Sequence, residues 1–413
     1  MKKNINKYYQ IQKCEFSKKK DLEKVLSLGK MPAVNNYVNI GSDTNTLNFY
    51  ETEIFYSKSS KLVQLTTIVD KSILFPKSYP YTSSTTKILR ENFKNLYKEV
   101  TDKITLKKND LVIDIGSNDG NLLSNFLKHR VLGITPENIG KIAIKKGIPT
   151  YLEYFDKKIV NKILINHGKA KIICATNVFA HIEDTHALIK NIKKILDKDG
   201  VFITESHYLV SLIHTLQYDT IYHEHLRYYL LTSLKFIFNK YDLDIFFCKK
   251  INTHGGSIRV YASYKGKYKI DKSVKNTLNY EKKFINKKTF NNFRQRVIKN
   301  KLSFYNLISK LKLEKKQIYG VGAPSRGAIL INFIGLDENF LPAILETKGS
   351  YKIGKYLPGT KIPIVLETKN ILKKADYLLL LSWHIKDELK QSIRKNGFKG
   401  KFIIPLPRPI IED

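Results

Sequence analysis

The chain has 413 residues, 42% of them hydrophobic, and a formal net charge of +35. That length suits two or three domains with cores of their own, and the sequence holds no apolar run near the ~18 residues of a membrane span. The charge admits a polyanionic partner, but the lysines are dispersed and no RNA-binding signature accompanies them, so nucleic acid is not expected, while a small phosphorylated substrate stays compatible.

The opening MKKNINKYYQ is charged without a following apolar stretch, which does not read as a signal peptide. With Cys14, Cys174 and Cys248 far apart, the expectation is a cytoplasmic chain with reduced thiols. Residues 1–85 read as a small irregular domain with strand-like runs at Asn48–Tyr56 and Lys61–Thr67, closed by a loop at Tyr79–Ser84. Apolar periodicity then predicts a helix over Thr85–Val100.

From there strands and helices alternate. Strands are expected at Leu111–Ile115, Arg130–Thr135, Lys171–Thr176 and Val201–Ser206, separated by helices at Asn121–Lys128, Glu137–Lys146 and Thr185–Leu196. Strands at Leu243–Lys249 and Ser257–Ser263 would complete a mostly parallel sheet covered on both faces, in a domain spanning 86–266. A long amphipathic helix over Lys282–Leu313 leads into a second, smaller α/β unit, within a domain of 267–413. Its strands are expected at Gln317–Val321, Leu341–Glu346, Tyr377–Leu381 and Lys401–Ile404, with a helix at Ser325–Ile334.

The most informative stretch is Leu111–Leu123, LVIDIGSNDGNLL. It reads as a buried strand running into a turn at Gly116 and Gly120, with a helix opening on Asn121. A strand, tight turn and helix start leave backbone N–H groups and little side-chain bulk facing a ligand. The G-x-x-x-G spacing differs from the G-x-G-x-x-G of nicotinamide sites, and Asp114, with Asn118 in the turn, suits a zwitterionic amino-acid cofactor, which points to S-adenosylmethionine. After the third strand, Asn177 and His181 fall at the carboxyl end of the sheet, where ligands sit. Tyr222-His223-Glu224-His225 lacks the H-E-x-x-H spacing of a metal site and suits acid–base work, with the carboxylate able to orient an imidazole. His254 lies in a further polar turn, and Ser325-Arg326 opens a helix where a phosphate could bind.

These segments together resemble the sugar C-methyltransferases of deoxysugar biosynthesis, which act on nucleotide-linked ketosugars. The matching runs are IGSNDGNLL (115–123), NVFAHIED (177–184), DTIYHEHLRYY (219–229), HGGSIRVYA (254–262), YGVGAPSRGAILINFIG (319–335), GKYLPGTKIPI (354–364) and LLLLSWHIKDEL (378–389). The resemblance implies a small N-terminal zinc-binding domain, a central class I methyltransferase domain of Rossmann-like α/β type that binds S-adenosylmethionine, and a C-terminal Rossmann-like domain that helps hold the nucleotide sugar. It further implies that His225 removes a proton beside the ketone, with Glu224 positioning it. Tyr222 and His181 would stabilise the enolate or orient the sugar, and Tyr79 would close the pocket.

The chain departs from that pattern in two places. The family's zinc domain uses two pairs of cysteines, whereas only Cys14 stands in place here and serines occupy the second pair's region, so zinc is not expected. An acidic residue usually ends the second strand and grips the cofactor's ribose, whereas Thr135-Pro136 stand here, with Glu137 two residues on. The expected function is C-methylation of a nucleotide-linked keto-sugar for a surface polysaccharide or glycoconjugate. A sugar O-methyltransferase and a catalytically degenerate nucleotide-sugar binder are the alternatives. Oligomeric state is not legible.

Overall fold

The computed structural model describes residues 7–44, 47–75, 84 and 86–413; Tyr79 and most of its loop lie outside the described residues. The central sheet has seven strands in the order Leu243–Ile251, Ser257–Tyr264, Leu196–His207, Ala170–Thr176, Leu111–Ile115, Arg130–Ile134 and Thr150–Tyr151. The last five run parallel, and Ser257–Tyr264 is antiparallel to both of its neighbours. All five residues of Leu111–Ile115 are buried, as a strand covered on both faces requires. The order reverses beside this strand: the chain moves to one flank with Arg130–Ile134 and to the other with Ala170–Thr176. A ligand crevice opens at such a switch point, at the strands' carboxyl ends.

The helix expected from Asn121 is absent; the segment makes only a single 3₁₀ turn at Leu123–Asn125. Ser124 Oγ donates to the Asn121 carbonyl and Asn125 Nδ2 to the carbonyls of Asn121 and Leu122, so side chains take the acceptors a helix would use. Its apolar residues Leu122, Leu123 and Phe126 are nonetheless buried. The long helix expected over Lys282–Leu313 is two, Lys272–Phe284 and Lys287–Leu313. Asn286 breaks them, capping the second through a 2.9 Å bond from Thr289 N–H.

The N-terminal region is more regular than its sequence suggested. Strands Leu22–Pro32, Phe49–Ser57 and Val63–Leu65 form an antiparallel sheet, and Tyr8–Gln10 pairs with Thr67–Val69. Register shifts after Lys24 and after Ser27 break the alternation of Leu22–Pro32, which hides this strand from a period-2 reading. The fourth strand of the sheet is Arg227–Tyr228, immediately after the YHEH run, paired with Val63 and Gln64. The N-terminal region thus docks on the candidate catalytic segment by strand addition.

The C-terminal sheet has seven strands around Ile318–Val321, whose parallel neighbours are Ile344–Glu346 and Tyr377–Leu380. The helix Ser325–Ile334 follows as expected. No helix among the described residues is long and apolar enough to cross a membrane.

Candidate functional site

A cavity of about 950 Å³ opens at the switch point, lined by the glycine turn, the loop after Ala170–Thr176, the YHEH run and the C-terminal residues Ser325, Lys352 and His384. That volume is at the top of the ~300–1,000 Å³ of ordinary ligand sites and leaves room for two ligands.

On the glycine-turn side, Gly116 has φ +77°, and a Cβ there would lie 2.2 Å from Val178 Cγ2, so only glycine fits. Asn118 and Asn177 also adopt left-handed backbone, at φ 51° and 58°. Asp114 lines the cavity at 2% exposure and its Oδ1 has no hydrogen-bond partner among the described residues. Burial, with Glu205 nearby, raises its carboxyl well above the usual carboxylate range. Asn177 Oδ1 is likewise buried and unpartnered. Gly120 and Asn121 sit behind the turn, where a Cβ on Gly120 would meet Ile148 and Ala143, so the glycine serves packing.

On the opposite side, His225 is fixed by a 2.9 Å hydrogen bond between Nδ1 and the Thr220 carbonyl. A carbonyl can only accept, so Nδ1 carries the proton and Nε2 keeps its lone pair. Burial pushes this imidazole well below its usual range, aided by repulsion from His181, so it is neutral near pH 7. The orienting acceptor is thus a backbone carbonyl where the sequence suggested Glu224. Glu224 Oε1 instead accepts from Asn35 Nδ2 at 2.5 Å, and its carbonyl accepts from His181 Nδ1 at 2.7 Å. The rings of Tyr222, His207 and His181 stand 4.2, 4.7 and 5.0 Å from that of His225. Burial, with Glu224 adding to it, raises the Tyr222 phenol well above its usual range and keeps it a donor.

His223 leaves this group. Its Nε2 lies 3.2 Å from Thr52 Oγ1, its ring meets Tyr50 edge-on, and burial pushes it down to about 4. Flanking residues hold the run: Arg227 donates to the carbonyls of Ile182 and Glu183, Tyr218 donates to Asn300 at 2.7 Å, and Asp219 pairs with Arg326. Arg326 reaches Asp219 through Nε at 3.1 Å and Nη2 at 3.0 Å, stacks on Trp383, and so has its charge engaged by protein. Ser325 and His254 line the cavity, and His254 Nε2 is buried without a partner.

Sequence reasoning missed His207, Lys352 and His384. His207 ends the strand Leu196–His207, so the rule that ligands meet carboxyl ends of strands points to it. Lys352 and His384 reach the cavity from the C-terminal sheet; His384 lies in the matching run 378–389, a signal that could have found it, whereas nothing local in the sequence marks Lys352.

In the N-terminal region, Cys14-x-x-Ser17 and Ser57-x-x-Ser60 come together. Cys14 Sγ lies 3.0 Å from Ser60 Oγ, Ser17 N–H faces Cys14 Sγ at 3.5 Å, and Ser60 N–H donates to Ser57 Oγ at 3.3 Å. Asp21 accepts from Ser57 Oγ at 3.0 Å, from Ser59 Oγ at 2.6 Å and from Ser59 N–H at 2.7 Å.

Three family models match the chain: "Putative zinc binding domain" over 14–75, "Methyltransferase domain" over 88–246 and "C-methyltransferase C-terminal domain" over 252–407. The C-methyltransferase NovU of Streptomyces niveus is 29% identical over 408 residues, covering 97% of this chain and 96% of its own length. Magnesium protoporphyrin IX methyltransferase from Synechocystis PCC 6803, with S-adenosylmethionine bound, is 14% identical. It covers 43% of this chain and 79% of its own at a TM-score of 0.33. An S-adenosylmethionine-dependent methyltransferase from Clostridium acetobutylicum ATCC 824 is 14% identical, covering 44% of this chain and 94% of its own, also at 0.33. The zinc the first model implies does not fit the residues present. One thiol and three hydroxyls stand at the paired positions, neutral hydroxyls are poor zinc ligands, and Asp21 already holds Ser57. Among the described residues, three or more His, Cys, Asp or Glu do not cluster as a metal site.

Proposed function

Because this chain is an S-adenosylmethionine-dependent C-methyltransferase on a class I α/β fold, we propose that it methylates a carbon beside the ketone of a nucleotide-linked sugar. His225 carries this reading: a buried, neutral imidazole whose Nδ1–H is spent on the Thr220 carbonyl, leaving Nε2 as a base in the cavity that the cofactor turn shares. A C–H beside a carbonyl is a weak acid, so its removal needs a base together with donors aimed at the forming oxyanion. In the proposal Nε2 takes that proton and the Tyr222 phenol donates to the enolate oxygen, while His181, whose Nδ1–H is spent on the Glu224 carbonyl, orients the sugar. Asp114 binds the cofactor's ammonium, and Asn118, Asn177 and the Gly116 turn complete its seat. The cofactor, when bound, supplies the electrophilic methyl group that the enolate carbon takes.

The nucleotide-linked substrate is supported by the cavity's size and by its C-terminal wall, where Lys352, which also donates to the Ala323 carbonyl, and the positive end of helix Ser325–Ile334 favour an anion. Arg326 serves from behind, locking Asp219 and with it the Tyr218–Thr220 turn that supplies the acceptor for His225. The Thr135 edge would hold the cofactor's ribose, and Tyr79, outside the described residues, would close the pocket in the same proposal. We place the enzyme in the cytoplasm, in glycoconjugate synthesis, with domains 1–85, 86–266 and 267–413.

The test is solvent deuterium exchange, followed by NMR, at the carbon beside the ketone across a panel of nucleotide-linked keto-sugars with S-adenosylhomocysteine in place of the methyl donor. Exchange catalysed by the wild type and abolished in His225→Ala is expected. Methylation of a hydroxyl without exchange would replace the proposal with O-methylation. Because His225 titrates below the ordinary imidazole range, the acid limb of kcat/KM should also fall below it, with full activity retained at higher pH.

A further inference from the structure

Thr135 stands where an acid would end the second strand, and the structure offers a replacement two residues on. We infer that Glu137 is the acceptor for the hydroxyls of the cofactor's ribose, held in place by the Thr135 hydroxyl. The inference rests on the S-adenosylmethionine dependence given above and adds a residue to that site.

The strand Arg130–Ile134 ends against the glycine turn: the Ile134 carbonyl accepts from Gly116 N–H at 2.7 Å and from Ser117 N–H at 3.1 Å. Thr135 follows, 1% exposed, with its N–H on the Tyr151 carbonyl at 3.0 Å. Its methyl packs toward Gly140, where an added Cβ would sit 2.6 Å from Thr135 Cγ2. That packing orients the side chain, and Thr135 Oγ1 donates to Glu137 Oε2. The chain thereby turns back at Pro136 and brings a carboxylate to the strand end that lacks one. Thr135, Pro136 and Glu137 all line the cavity beside Gly116 and Asn118.

Two other acids line the same edge, and both are committed. Glu153 pairs with Lys162 at 3.4 Å and with Lys158 at 3.9 Å. Asp156 caps the helix Lys157–Asn166 by accepting from Ile159 N–H at 3.0 Å. Glu137 is bonded only through Oε2 among the described residues, so Oε1 remains to accept. A carboxylate suits a ribose because two adjacent hydroxyls donate to two oxygens, and hydrogen bonds to an ion are the stronger kind.

The experiment is calorimetric titration with S-adenosylhomocysteine and with its 2′,3′-dideoxy analogue, which removes both hydroxyls. The wild type should prefer the ribose compound, and Glu137→Gln should weaken it by about tenfold, equivalent to ~1.4 kcal/mol, while leaving the dideoxy compound unchanged. Thr135→Val should cost less, and adding it to Glu137→Gln should cost nothing more, since the threonine acts through the carboxylate. Equal wild-type affinity for both compounds, or a preference for ribose that survives in a folded Glu137→Gln, overturns the inference. Failure of the wild type to bind S-adenosylhomocysteine would instead strike the cofactor assignment itself.

Discussion

Two of the molecule's polar clusters differ in whether their groups have partners. In the N-terminal cluster, here called the knuckle, Cys14, Ser60, Ser57, Ser59 and Asp21 satisfy one another. In the cavity, Asp114 Oδ1, Asn177 Oδ1 and His254 Nε2 are buried with none among the described residues. A buried polar atom without a partner costs about 1–3 kcal/mol, so a fold carries several in one place only where something else recovers the loss. One cluster is closed on itself and the other leaves buried polar atoms open to the cavity.

The comparison is sharpened most at Asp114. Asp114→Asn keeps the shape and removes the charge that would meet an ammonium. It should weaken S-adenosylhomocysteine by about 1.5–3 kcal/mol, an order of magnitude or more in Kd. The pH dependence carries a second mark. The carboxyl is raised in the folded state, so its contribution to stability is present below the ordinary carboxylate range and is lost as pH rises through the raised value. Thermal melts of the ligand-free wild type should show that decline, S-adenosylhomocysteine should flatten it, and Asp114→Asn should lack it. Wild-type affinity in the variant would show that the open carboxylate is not waiting for the cofactor.

A smaller effect is expected where the groups are satisfied. Asp21→Ala strips acceptors from Ser57 and Ser59 and should destabilise the N-terminal region by about 1–3 kcal/mol, seen as faster hydrogen exchange over 14–75. The hydroxyls and the Ser59 N–H hold the Asp21 carboxyl below its usual range, so this contribution is present above the ordinary carboxylate range and is lost as pH falls through the lowered value. S-adenosylhomocysteine affinity should be unchanged; a large loss would mean that the two clusters are coupled.

How legible each cluster was in the sequence follows from where its parts come from. Leu111–Ile115 and Lys401–Ile404 stand as expected because each carries a short, mostly apolar run of a buried strand. His225 and His181 could be read because one short run and one strand end carry them. The acceptor of His225 could not: a backbone carbonyl five residues upstream has no signature in side chains. Lys352 and His384 arrive from another sheet, and Asp219 meets Arg326 across 107 positions, which only the tertiary fold sets. Local chemistry also overrode pattern at Ser124 and Asn125, where side-chain bonds to the backbone replaced a helix that the apolar residues would have supported.

The closed cluster makes the most economical test of the comparison, because it predicts both a loss and its reversal. The native protein should purify without stoichiometric zinc, and chelators should leave its melting unchanged, since the knuckle is held by hydrogen bonds. Restoring thiols with Ser17→Cys, Ser57→Cys and Ser60→Cys places four sulfurs at C-x-x-C and C-x-x-C spacing around Cys14, the ligand set and charge that zinc requires. That variant should take up about one zinc per chain, and its stability should then depend on chelator. A triple variant that folds and stays metal-free would mean that the backbone has drifted from tetrahedral geometry along with the ligands. Stoichiometric zinc in the native protein would mean that the cluster is a metal site after all, and would remove the contrast with the cavity on which the reading of Asp114 was sharpened.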